Sequence, residues 1–164
     1  MSKHTEMRFE DAIMQSLTTA GGYALGESNG FDAERGLFPD EVIAFIATTQ
    51  AKRWASLQEF YGDRARNMLL DALCKELSAK GSLYVLRHGF KCFGKTWKLA
   101  YFAPASGMNP DALADYAANR LTATRQVHFD PKQKGLSLDL VLSLNGLPLA
   151  TLELKNQMTV SMPE

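Results

Sequence analysis

The stretch from Leu136 to Lys155, LSLDLVLSLNGLPLATLELK, leaves the chain few ways to fold. At its centre, Asn145-Gly146 is the dipeptide that tight hairpin turns prefer, because both residues tolerate the left-handed backbone such turns need. The first arm puts Leu136, Leu138, Leu140, Leu142 and Leu144 on one face, with Ser137, Asp139, Val141 and Ser143 on the other. The second arm puts Pro148, Ala150, Leu152 and Leu154 on one face, opposite Leu147, Thr151, Glu153 and Lys155. Two arms that share a core must present their oily faces together, and a one-residue slip would turn one arm inside out. A two-residue loop pairs even positions with odd ones and mixes the faces. The spacing therefore predicts a three-residue loop, Leu144-Asn145-Gly146 with Gly146 left-handed, or an equivalent bulge.

In that register Asp139, Glu153 and Lys155 emerge on one polar face, with Asp139 diagonally across from Glu153 at roughly 7–8 Å. Two readings of the triplet compete. One is the solvated side of an amphipathic hairpin. The other is a metal site, since a hard cation such as Mg2+ takes one or two carboxylates plus water and substrate phosphate. Such an ion activates water and offsets charge on phosphorus, and a neighbouring ammonium can assist the attacking water.

The wording around the triplet adds to this. D-x13-E-L-K on a hairpin resembles the active-site motif of the PD-(D/E)xK nucleases, although Leu138 stands where many of them have proline. RHGFK (Arg87–Lys91), LAYFAPASGMNP (Leu99–Pro110), YAANRLTATRQVHF (Tyr116–Phe129) and SLDLVLSLNGLPLATLELKN (Ser137–Asn156) resemble one family in particular. That family is the N-terminal nuclease domain of the restriction (R) subunit of type I restriction–modification enzymes, and the likeness runs over almost the whole chain. It implies Asp139 and Glu153 as metal ligands, Lys155 as the catalytic lysine, and Glu10 of FEDAI on the first helix as a further metal contact. It also implies a DNA-contact or site-supporting role for Arg120, Arg125 and Gln126. A surface role for Glu10 and a structural role for the arginines are the alternatives.

The same resemblance implies Mg2+-dependent endonucleolytic cleavage of double-stranded DNA, coupled to ATP-driven translocation. The implied partners are the modification (M) and specificity (S) subunits, in a prokaryotic cytoplasm. No Walker A motif occurs, so ATP would be handled by motor domains that this sequence lacks. Residues 1–164 thus read as a single N-terminal endonuclease domain, a piece of a longer chain and weak or silent alone. The rival from another class is a non-catalytic docking module of a multisubunit DNA-processing complex, with the hairpin serving only as structure. A repair or recombination exonuclease of the same superfamily fits the blocks less well.

Composition narrows the field without deciding it. At 46% hydrophobic residues the chain can build a core, and no apolar run approaches the roughly 20 residues of a membrane span. Cys74 and Cys92 form no metal-like pair, and the three histidines are scattered. Net charge is zero, against a free-standing tight nucleic-acid binder. The charge is unevenly spread: residues 51–100 carry 10 basic and 4 acidic groups, whereas residues 1–50 carry 3 and 8. That basic middle is either a solvated helix face or a surface for phosphate.

In chain order, helices are predicted over about Thr5 to Ala20, from Pro39, over about Ala51 to Tyr61 and from Arg64 to Lys80, closing on Gly81. Trp54, Phe60 and Tyr61 read as core contacts rather than base-stacking platforms. From Leu83 the pattern turns to strands: LYVLRHGF, WKLAYF, then Leu121 to Phe129 after a short helix capped at Asn109-Pro110. The expected fold class is α+β: a restriction-endonuclease-like central mixed sheet flanked by helices.

Overall fold

The computed structural model describes residues 2–130, 132–133 and 135–154. Lys155 therefore lies outside the described residues.

Five helices form. The first, α1, spans Ser2–Thr19 and stops before Gly21 and Gly22. Helix α2, Pro39–Thr49, has proline in its first turn with Asp40 and Glu41 beside it. Proline's missing N–H is harmless there, and the acids complement the helix dipole. Helix α3 follows over Ala51–Tyr61, and α4 over Arg64–His88. Helix α5, Pro110–Ala117, is capped by Asn109, whose side-chain oxygen accepts from the amides of Asp111 and Ala112.

The strands are β1 (Ala24–Leu25), β2 (Phe90–Cys92), β3 (Lys95–Trp97), β4 (Leu121–Val127), β5 (Leu138–Leu144) and β6 (Leu147–Leu152). Four of them make a mixed sheet in the order β1-β4-β5-β6, with β1 parallel to β4 and the other neighbours antiparallel. β2 and β3 form a separate two-stranded ribbon. The α+β class with a mixed central sheet is as expected from the sequence.

The sheet is covered on both sides. Met14, Ile13 and Leu17 of α1 pack on Ala123, Leu140, Leu142 and Leu152. Phe38, just before α2, packs with Val141, Val127, Leu138 and Phe31, and Glu41 of α2 accepts a 3.0 Å hydrogen bond from the Thr122 hydroxyl. The largest apolar cluster joins α2, α3, α4 and the β2–β3 ribbon through Ile46, Leu57, Leu69, Leu73, Phe90 and Trp97. Full burial of side chains this size stabilises by about 1.5–3 kcal/mol each.

Two expectations fail. The segment from Leu83 is helix, not strand: α4 breaks at Gly81 (φ 80°, ψ 166°) and resumes to His88. Within the resumed turns Tyr84 and His88, four residues apart, stack with ring centroids 4.6 Å apart, and Lys80, from before the break, sets its Nζ 4.5 Å from the Tyr84 ring. In β4 and β5 the strict alternation also breaks. Leu138, expected beside Leu140, and its partner Val127 pack with Phe38 and Val141 on the other side. Gln126, just before Val127, has φ +48°, which turns the strand.

Candidate active site

The hairpin solves the parity problem by the second of its two routes. Leu144 pairs with Leu147, so the loop is the two residues Asn145 (φ 50°) and Gly146 (φ 85°) rather than three. Ser143 then pairs with Pro148, but Leu142 pairs with Ala150, so Leu149 is an extra residue bulged out of β6. It is half exposed. Beyond the bulge even positions face even ones, through Leu142 to Ala150 and Leu140 to Leu152. Continued by one residue, this register sets Asp139 directly opposite Glu153, not diagonally.

Close packing holds the turn. A Cβ on Gly146 would lie 2.6 Å from the Phe38 carbonyl oxygen and 2.8 Å from the Val42 nitrogen, so α2 can approach only because the residue is glycine. Asn145 is buried and acts as a three-way tie. Its oxygen accepts from the Arg120 amide at 2.7 Å. Its nitrogen donates to the Leu99 carbonyl at 2.9 Å and to the Asn119 side-chain oxygen at 2.9 Å.

At the other end of β5, Asp139 is partly buried and held by two groups. One oxygen accepts from the Leu154 amide at 2.7 Å. The other lies 3.4 Å from Gln126 Nε2, long for a hydrogen bond, and Gln126 in turn accepts from the Ser137 hydroxyl at 2.9 Å. Glu153 is exposed. Glu153 follows directly after β6, one residue past the last paired position, and Asp139 is surrounded by Gln126 and the Leu154 amide, with Ser137 bonded to Gln126.

Glu10 is engaged elsewhere. Its carboxylate lies 3.4 Å from Arg125 Nε, and Asp11 lies 2.8 Å from Arg125 Nη1, so Arg125 fastens α1 to β4. Among the described residues, no three His, Cys, Asp or Glu side chains gather closely enough to hold a metal ion together. Arg120 contributes its main chain to the Asn145 tie, through its amide and through a carbonyl that accepts from Asn145 N at 2.9 Å, while its side chain is exposed. Ser137 shares the face of Asp139 in the alternation of β5, whereas the Leu154 amide escaped the sequence reading: only the pairing of β5 with β6 brings it to Asp139, and no local pattern carries that information.

The sequence model of the type I restriction enzyme R protein N terminus matches residues 10–163. The chain belongs to that family. The match spans α1 from Glu10, the sheet and the whole hairpin. No curated protein and no solved structure matches the chain. Membership in the R-protein N-terminus family is consistent with a nuclease. No described helix is long and apolar enough to cross a membrane.

Proposed function

We propose that this R-protein N-terminal domain is the DNA-cutting domain of a type I restriction enzyme, with a PD-(D/E)xK-type site on the β5–β6 hairpin. The observation that carries the reading is the Leu149 bulge. Without it Asp139 and Glu153 would take opposite parity; with it the ladder that ends at Leu140 and Leu152, continued by one residue, would set them on facing positions.

The donor set fits a hard divalent cation: two carboxylates, one exposed and one partly so, leave the remaining positions to water and a phosphate oxygen. Asp139 and Glu153 would hold Mg2+, which when bound lowers the pKa of water and offsets charge on the scissile phosphate. The chain's own part is orientation. The Leu154 amide and Gln126 each engage one oxygen of Asp139 and leave each oxygen a free lone pair. Lys155, next along the chain after Leu154, would place its ammonium beside the attacking water. A metal role for Glu10 would compete with its ion pair to Arg125.

In the assembled enzyme, with modification and specificity subunits on double-stranded DNA, Lys155→Ala is expected to abolish cutting and leave ATP hydrolysis intact. Asp139→Asn should behave alike and also weaken Mn2+ binding measured by calorimetry. Retained cutting in either variant would refute the assignment and favour a docking module.

A further inference from the structure

The basic middle of the sequence gathers into a groove that the hairpin site does not use. Between the α2–α3 junction and the segment after β3 lies an open groove of about 930 Å³, reached by Lys52, Arg53, Lys95 and Lys98. No acidic side chain lines it. None of the four cations is in an ion pair with another described residue, whereas Arg35, Arg66, Lys80 and Arg125 each are. The walls are built rather than incidental. Gln50, buried at the junction, donates to the Lys98 carbonyl at 2.9 Å and accepts from the Lys98 amide at 3.0 Å, clamping the two sides together. Arg53 Nη1 donates to the Thr96 carbonyl at 2.7 Å, which fixes that guanidinium across the groove. Gln50 makes no side-chain bond to the first-turn amides of α3.

Four unneutralised cations from two segments, Lys52-Arg53 of α3 and Lys95 with Lys98 at the end of β3, converge on one concave surface and match a chain of phosphates better than a single anion. Next to it, Phe93 stacks on Tyr61 at 4.4 Å, and Phe60 is 81% exposed. These aromatics share Arg53 and Lys95 with the groove. The position is distinct from the carboxylates. Lys98 precedes Leu99, whose carbonyl is bonded to Asn145 at the turn, while Asp139 is at the opposite end of β5, five residues or roughly 17 Å away along the strand.

We propose that this groove binds the sugar–phosphate backbone of DNA as a second, non-catalytic holding surface, away from the cut. The choice of DNA rests on the nuclease reading; the charge and its geometry do not. The test is anisotropy of a fluorescein-labelled duplex with this chain in EDTA, where no cutting occurs, across a series of NaCl concentrations. Lys52→Gln/Lys95→Gln/Lys98→Gln should weaken binding on the order of tenfold or more and flatten the slope of log Kd against log salt by about 2–3. Arg64→Gln/Lys75→Gln/Arg87→Gln, removing the same charge from α4, should leave both nearly unchanged. The triple Lys→Arg variant should restore binding, and matching thermal melts exclude misfolding. Equal effects of the two neutralised triples, no effect of the groove triple, or no duplex binding by the unaltered chain would each overturn the proposal. So would displacement of the duplex by polyglutamate at equal charge concentration, which would mark the groove as a dock for an acidic protein. The cutting site is read by loss of cleavage in the assembled enzyme and the groove by duplex binding in EDTA, so failure of one reading is told apart from failure of the other.

Discussion

Asn145 offers the sharpest test of how the hairpin is held. Its side chain makes three hydrogen bonds in a buried setting, to the Arg120 amide, the Leu99 carbonyl and Asn119. Each is worth about 0.5–1.5 kcal/mol net, and truncation leaves a main-chain donor and a main-chain acceptor unpaired away from water. Asn145→Gly removes these bonds but accepts the backbone at φ 50°, so its cost is about 3 kcal/mol. Asn145→Ala loses the same bonds and adds the left-handed penalty of about 1 kcal/mol. For a domain of this length 1 kcal/mol moves the midpoint by about 2–4 °C, so glycine should lower Tm by roughly 10 °C and alanine by a few degrees more. Urea unfolding followed by circular dichroism, with the slopes checked for equality, measures both. A glycine variant within about 1 kcal/mol of the parent, or an alanine variant no worse than glycine, would refute the account.

Gly146→Ala should be more severe still, because its Cβ meets α2 main chain at 2.6 and 2.8 Å; a soluble variant with a near-parental melt would show that the turn and α2 can separate. Asp32 carries a pH signature. Burial pushes its carboxyl up, but bonds from the Arg35 guanidinium and from the Arg35 and Glu34 amides outweigh this and hold it below its ordinary value. A depressed folded value adds stability that is present above about pH 4 and lost as pH falls through the folded value. Asp32→Asn should therefore lose stability at neutral pH and converge with the parent in acid, in melts taken from pH 7 downward. Gln126→Gly relieves a left-handed non-glycine residue at the cost of chain entropy, so Tm should barely move. The same variant frees Asp139 from one partner, and its Mn2+ affinity should fall; an unchanged affinity would remove Gln126 from the site.

What could be read in advance was whatever depends on near neighbours in sequence. Proline at the first turn of α2 and α5, the Asn109 cap and the Asn145-Gly146 turn are local chemistry, and each forms where the residues ask for it. The alternation of β5 was legible only as far as Leu140. Beyond it, the left-handed Gln126 across the ladder inverts Leu138 and Val127, and no pattern within β5 itself signals a fault in its neighbour. The strand expected at Leu83 failed for a related reason. Gly81 does break the helix, as it reads, but the chain kinks there and turns helical again, with Tyr84 stacked on His88 one turn on. For the site, the sequence placed Asp139 and Glu153 on one hairpin. It could not show that Glu10 would be held by Arg125 at an ion-pair distance of 3.4 Å, a contact between α1 and a strand more than a hundred residues away.

Among the described residues, three that are not glycine hold a left-handed backbone: Phe93, Gln126 and Asn145. Such residues are uncommon and tend to persist where the surroundings over-determine them, often at functional places. Their positions here follow one line through the molecule. Gln126 lies against Asp139; Asn145 ties the far end of the same strand to Leu99, next to Lys98; Phe93 stacks on Tyr61 at the edge of the basic groove. The hairpin is then a rigid strut with one irregular backbone site at each end and a third beyond the turn. A strut of that kind keeps a charged surface and a pair of carboxylates at a fixed separation, which a duplex needs if it is to be gripped in one place and cut in another. On the proposed reading, Gln126 and Asn145 serve that one requirement, since a one-residue shift at either end would change the parity of the ladder that ends at Leu140 and Leu152.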